Sequence, residues 1–293
     1  MLNQFPSFFA DANSNYNAAE FVIFGIPYDK TSTFRHGAAE APSEIRKASW
    51  NFEPYRFETG VDFREVRVHD FGDLPVKDLS PKDMVKEVEI FVKKIKKDRK
   101  FPVAIGGEHS VTLGIVKALG DEDFCVLSLD AHLDYRDEYE GERFNHACVI
   151  KRISEEIGIE KIAILGFRSA DKEEYRNAIN DKLFFKDIFN LNKLGLKNVL
   201  KELKKYFGKS KIYLTLDIDV LDPAYAPGTS TPHPFGLTTF QLLEIIDEFS
   251  EKLIGFDIVE VCPPYDNGET SLLAAELIRT TITKYYYNVL KIK

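Results

Sequence analysis

The chain has 293 residues, 44% hydrophobic and 13% aromatic, which is ample for the core of one α/β domain spanning 1–293 and too apolar for a disordered polymer. A formal net charge of −8 argues against nucleic acid or an anionic membrane surface as partner and favours a small cationic molecule. Three cysteines (Cys125, Cys148 and Cys262) without CxxC spacing argue against a disulfide framework and for a reducing cytoplasm; residues 1–17 carry no basic flank or long apolar run, so no secretory signal is expected.

Apolar runs at 21–27 and 68–74 read as the first strands, buried on both faces. A helix follows over 81–97. Met84, Val85, Val88, Phe91, Val92 and Ile95 share one face, Ser80 can cap it, and Pro81 takes its first position. The next strand, 101–107, runs into Gly106-Gly107-Glu108-His109-Ser110 and a helix over 110–119. His109 reads either as a capping histidine at a glycine turn or as a ligand at a strand end.

The strand 124–130 ends in Asp130-Ala131-His132-Leu133-Asp134. If the chain stays extended, Asp130, His132 and Asp134 point to one side, as metal ligands would. Strands at 162–168 and 182–188 and a helix over 197–207, stopped by Gly208, come next. The strand 212–217 ends in Asp217-Ile218-Asp219, again with shared parity, and Asp222 before Pro223 reads as a turn residue. A helix over 238–252, a strand over 253–261 carrying Glu260, and a helix over 269–290 complete the pattern. Strands alternating with helices imply a parallel sheet covered on both faces, with ligands bound beyond the carboxyl ends of its strands.

If His109, Asp130, His132, Asp134, Asp217 and Asp219 converge, four carboxylates share a few ångströms. Each like-charged pair about 4 Å apart repels by roughly 4 kcal/mol at an effective dielectric of 20. Two divalent cations balance four aspartates. Oxygen donors without cysteine favour Mn²⁺ over a structural zinc site, with Co²⁺, Fe²⁺, Ni²⁺ and catalytic Zn²⁺ as alternatives. A bridged pair would generate a hydroxide nucleophile near neutral pH.

These segments, GGEHS, DAHLD and DIDVLDPAYAPG, resemble the signatures of the ureohydrolases, the arginase and agmatinase family. The likeness runs from Gly25-Ile26-Pro27-Tyr28-Asp29, through Arg35-His36-Gly37-Ala38 and 41–46, to past Glu260-Val261-Cys262. It implies a three-layer α/β/α fold around a mainly parallel sheet, a trimer or hexamer, and two Mn²⁺ ions. By motif match, His109 and Asp134 would hold one ion, His132 and Asp219 the other, and Asp130 and Asp217 would bridge. Asp134 would also handle the nucleophile's proton, Glu260 would hold the guanidinium, His146 would shuttle protons near the mouth, and Thr231 would lie near the guanidinium. The implied reaction hydrolyses a guanidinium group to urea and an amine. With agmatine the products are putrescine and urea, a step of polyamine biosynthesis.

Arginases grip an α-carboxylate with a Ser-Gly-Asn type element after the DAHxD motif. Here 135–145 has no such element and carries Asp137, Glu138, Glu140 and Glu142 against Arg136 and Arg143, a net charge of −2. That suits a cationic end and points to agmatine. Asp171 is a candidate for the distal amine, or simply a helix N-terminal aspartate. Arg136, Arg143 and Arg168 keep carboxylate substrates open, namely those of arginase, guanidinobutyrase and formimidoylglutamase. His233 and Phe235 depart from the family's usual Glu and Gly near the expected pocket. A non-catalytic relative is the rival of another class, and the complete set of six ligands opposes it.

Overall fold

The computed structural model describes residues 7–120 and 122–291. Its strands are β1 (Phe21–Gly25), β2 (Tyr55–Arg56), β3 (Val61–Asp62), β4 (Val68–Asp73), β5 (Phe101–Ile105), β6 (Phe124–Leu129), β7 (Ile162–Phe167), β8 (Phe184–Asp187), β9 (Lys211–Asp217) and β10 (Leu253–Val259). The helices are α1 (Ala41–Ser49), α2 (Pro81–Lys97), α3 (Thr112–Leu119), α4 (Val149–Ile157), α5 (Lys172–Asn180), α6 (Ile188–Leu194), α7 (Leu196–Phe207), α8 (Thr239–Phe249) and α9 (Glu269–Tyr285). All eight expected strands are present and form one sheet in the order β4-β1-β5-β10-β9-β6-β7-β8. Each neighbouring pair in it is parallel. The short antiparallel pair β2–β3 was not expected; two residues per strand carry no readable period.

Two-sided burial explains why these runs lack alternation. Phe21, Ile23, Val103, Leu127, Leu129 and Leu216 pack on one face with residues of α1, α6, α7, α8 and α9. Val22, Phe24, Ala104, Val126, Ile164 and Tyr213 pack on the other with residues of α2, α3, α4 and α5. The result is the expected α/β/α layering. Helix α2 has the expected bounds: Ser80 Oγ accepts from Asp83 N at 3.2 Å, and Pro81 begins the helix. Helix α7 ends at Gly208, whose φ of +54° suits glycine. The last expected helix is divided: α9 stops at Tyr285 and a wider π turn runs over Tyr286–Lys291. Helices α1, α4 and α6, each nine residues or fewer, were not anticipated, whereas α5 follows Asp171 as its reading as a helix N-terminal aspartate implied. Among the described residues no helix is long and apolar enough to cross a membrane.

One buried ion pair ties α1 to the sheet edge. Arg46 is 4% exposed and meets Asp70 of β4 through Nε at 2.8 Å and Nη2 at 3.0 Å, a bidentate fit. Removing one partner strands a buried charge, which costs about 3–5 kcal/mol. Arg46→Ala is therefore expected to lower unfolding stability by that amount in urea titration, while a surface pair such as Lys93–Glu89 contributes about 0.3–0.5 kcal/mol.

Candidate active site

The four central strands β5, β10, β9 and β6 lie side by side. Their carboxyl ends lead into His109, Glu260, the pair Asp217 and Asp219, and the trio Asp130, His132 and Asp134. Segments as much as 151 residues apart thus open onto one crevice, the place where open α/β sheets bind ligands.

Strand alternation does not bring the acids together, contrary to the sequence expectation. The chain turns as soon as the strands end. Asp134 has a φ of +48°, so the DAHLD segment is not extended. Asp217 closes β9, and Asp219 sits in the 3-10 turn Ile218–Val220, with its N–H donating to Asp217 Oδ1 at 2.9 Å. Glu260 lies just past β10 with a φ of +63°. Its N–H donates to Gly107 O at 2.8 Å, and its Oε1 accepts from His109 N at 2.7 Å. Gly107 is required here, because a Cβ would stand 1.9 Å from Tyr28 O.

His109 Nδ1 lies 3.1 Å from Asp130 Oδ2, 3.1 Å from Asp134 Oδ2 and 3.4 Å from Asp217 Oδ2. His132 Nδ1 lies 2.9 Å from Asp219 Oδ2 and 3.7 Å from Asp130 Oδ1. Two ligand triads result, His109–Asp130–Asp134 and Asp130–His132–Asp219, and Asp130 belongs to both. Behind them, His109 Nε2 meets Thr215 Oγ1 at 3.0 Å, and Thr215 donates to the buried Asp257 at 2.6 Å. Nε2 therefore carries the proton, and the Nδ1 lone pair faces the acids.

The charges do not balance within the protein alone. Burial, with the Asp130 charge, pushes Asp134 up to about 7. Burial pushes Glu260 up to about 7 as well, and Asp217 well above its ordinary value. Burial would raise Asp130 too, but the neighbouring His109 and His132 imidazoles outweigh it and hold that carboxyl low. His109 Nδ1 and Asp130 Oδ2 are buried without a hydrogen-bond partner. Oxygen and imidazole donors, shared acids and orphaned ligand atoms all fit a pair of divalent cations.

A cavity of about 220 Å³ opens over this cluster. His132, Asp134, His146, Asp171, Asp217, Asp219, Thr231 and Glu260 line it. His109 and Asp130 lie beneath it, fully buried. Asp171 also caps α5, accepting from Glu173 N at 2.8 Å in a capping box with Glu174. Tyr139 and Glu174 line the cavity and were not foreseen. The D-x-x-E spacing of Asp171 and Glu174 was the available signal for the second. Glu174 is 6% exposed and accepts from Tyr135 N at 2.8 Å, which holds the loop after the DAHLD segment. His233 and Phe235 do not line the cavity. Phe235 has a φ of +68°, which is the conformation a glycine at this position would take without strain.

The arginase family model matches residues 19–283. The chain belongs to the arginase family. An agmatinase of Halalkalibacterium halodurans is 36% identical over 272 residues, covering 91% of this chain and 92% of that one. An N(1)-aminopropylagmatine ureohydrolase of Thermococcus kodakarensis is 36% identical, covering 89% of this chain and 88% of its own. The crystal structure of the agmatine ureohydrolase of Thermoplasma volcanium superposes with a TM-score of 0.92 at 38% identity, covering 97% and 96% of the two chains. The protein is accordingly a ureohydrolase, an enzyme acting on guanidino groups. The arginase family is one of binuclear metal enzymes, and the two triads sharing Asp130 are the groups here that fit such a pair.

Cations and protons should compete for this cluster. With Asp134 near 7, binding requires proton release, and affinity for divalent cations is expected to fall about tenfold per pH unit below 7 for each proton displaced. Asp134 titrates above its unfolded value, so the cation-free fold loses that stability as pH rises through about 7. Calorimetric titration at pH 6 and pH 8 in two buffers reads both quantities; equal affinities without proton release would remove the cluster as the cation site. Asp130→Asn is expected to abolish binding of the pair, since both triads use that carboxylate.

Proposed function

We propose that the protein is a binuclear manganese hydrolase that cleaves agmatine to putrescine and urea, as in polyamine biosynthesis. The observation that carries the choice of substrate is the allocation of charge around the cavity. Beyond the metal-binding aspartates and Glu260, the acids Asp171 and Glu174 face it, against Arg136 as its one lysine or arginine among the described residues. Arg136 lies over the Tyr139 ring at 4.5 Å and 3.7 Å from Glu174. Arg143 points elsewhere, toward Asp137 and Glu155. Arg168 is taken up by main-chain carbonyls of Gly166, Asp219, Val220, Leu221, His233 and Pro234. Two of the three arginines that a carboxylate-bearing substrate would need are thus engaged outside the cavity, which favours a substrate with a cationic far end.

His109, Asp130, His132, Asp134, Asp217 and Asp219 would hold the two Mn²⁺ ions. When bound, such a pair lowers the pKa of water and so supplies a nucleophile near neutral pH. The chain's own side chains do the rest. Glu260, already steadied by the His109 N–H, accepts charge-assisted hydrogen bonds from the guanidinium. Asp134, at the cavity beside the nucleophile's place, would take up the attacking water's proton. His146 carries a proton toward the leaving amine. Thr231 would lie beside the guanidinium, and Asp171, which also caps α5, would meet the distal amine. The reading extends to a cytoplasmic homo-oligomer, trimer or hexamer, as the family resemblance implies.

The test is urea release by the Mn²⁺-loaded protein with agmatine, N1-aminopropylagmatine, arginine, 4-guanidinobutyrate and formimidoylglutamate in parallel. Agmatine is expected to give the highest kcat/KM, by tenfold or more. Preference for a carboxylate-bearing substrate would overturn the charge argument and assign Arg136 as its anchor. Glu260→Gln is expected to cost about 10–100-fold in kcat/KM, the worth of one or two hydrogen bonds to a charged group, with both ions retained. Loss of an ion in that variant would make Glu260 a ligand instead.

A further inference from the structure

Glu108 stands between Gly107 and His109 in the GGEHS motif, outside the cavity lining and outside both ligand triads. It is fully buried, and among the described residues no lysine or arginine pairs with it. Its three recorded side-chain partners are donors. Thr31 N donates to Oε2 at 2.7 Å, while Thr31 Oγ1 and Ser110 Oγ each donate to Oε1 at 2.6 Å. Thr31 in turn meets His146. The His146 N–H donates to Thr31 Oγ1 at 3.0 Å, and Nδ1 of the same residue lies 3.3 Å from that oxygen.

The protons can be assigned from these contacts. The Thr31 hydroxyl has one hydrogen, and its shortest contact is the Glu108 oxygen. A main-chain N–H can only donate, so Thr31 Oγ1 already faces the His146 backbone as an acceptor. Toward Nδ1 it must again accept. Nδ1 then carries the hydrogen, and Nε2 keeps the lone pair. Nε2 makes no hydrogen bond among the described residues, and the residue lines the cavity. The ring also packs edge-on against Tyr139, with centroids 6.3 Å apart.

We infer that Glu108 and Thr31 are positioning residues that fix the tautomer and orientation of His146, so that its Nε2 is the free proton acceptor at the cavity. The inference rests on the reading of His146 as the proton carrier. Glu108 polarises Thr31, and Thr31 directs His146. Three segments remote in sequence, the loop after β1, the end of β5 and the 3-10 turn His146–Cys148, meet in this one chain of hydrogen bonds.

The experiment compares Thr31→Val, Thr31→Ser, Glu108→Gln and His146→Ala in the full-length protein. It measures kcat and KM for agmatine, bound metal, and the ¹⁵N shifts of His146 in the Zn²⁺-loaded protein, assigned by difference against His146→Ala. Thr31→Val is expected to lower kcat at least tenfold, leave KM within twofold and both ions bound, and lose the Nδ1–H signature. Thr31→Ser should restore kcat to within threefold. Glu108→Gln places an amide against the Thr31 hydroxyl, reverses it, and should move the His146 proton to Nε2. If Glu108→Gln disturbs folding or the neighbouring His109, the Thr31 pair decides. Wild-type kcat and an unchanged Nδ1–H signal in Thr31→Val, with His146→Ala impaired, would overturn the inference and leave the proton-carrier reading intact. Full turnover by His146→Ala would overturn both.

Discussion

Mutual repulsion among buried carboxylates is the constraint on which the rest of this molecule depends. Asp130, Asp134, Asp217, Asp219 and Glu260 are each 7% exposed or less and crowd around two imidazoles. At such separations each like pair costs roughly 4 kcal/mol at an effective dielectric of 20. No lysine or arginine of the described residues pairs with them, so protons or cations must supply the balance. Protons held by Asp134 and Glu260 supply it in the cation-free fold, and a pair of divalent cations would replace them.

The fold serves that cluster by holding it open. A parallel sheet buried on both faces delivers four strand ends to one edge, and sharp turns aim the side chains. Asp134 and Glu260 adopt positive φ, a conformation that ordinary residues avoid and that collects at functional positions. Arg168 clamps the loop 219–221 to the segment 233–234, which steadies the wall around Asp219. Asp257, through Thr215, sets the face that His109 shows to the acids. Electrostatics thus decides what the site contains, and the main chain decides where each piece points.

The same economy of positive charge supports the proposed preference for a cationic substrate. An arginine engaged with six carbonyls cannot also bind a substrate carboxylate, and one paired on the outer surface cannot reach it. The cavity is left acidic, with Arg136 itself held between Tyr139 and Glu174. A ligand with a cation at each end suits such walls.

Much of this was legible in the sequence. Two-sided apolar runs located all eight strands of the main sheet, because burial on both faces leaves a continuous hydrophobic signature. Ser80, Pro81 and Gly208 marked helix ends, because caps act through local main-chain groups. The ligand residues stood out as acids and histidines following core strands. The tertiary structure alone decided which strands are neighbours, that turns rather than strand parity gather the acids, and that Arg168 and Arg143 are engaged elsewhere. It alone placed Asp171, already readable as a helix cap, in the cavity wall, and brought Glu108 to His146 through Thr31. The physical reason is range. Periodicity and capping are set within a few residues along the chain, whereas charge pairing and convergence at a site depend on segments that only packing brings together.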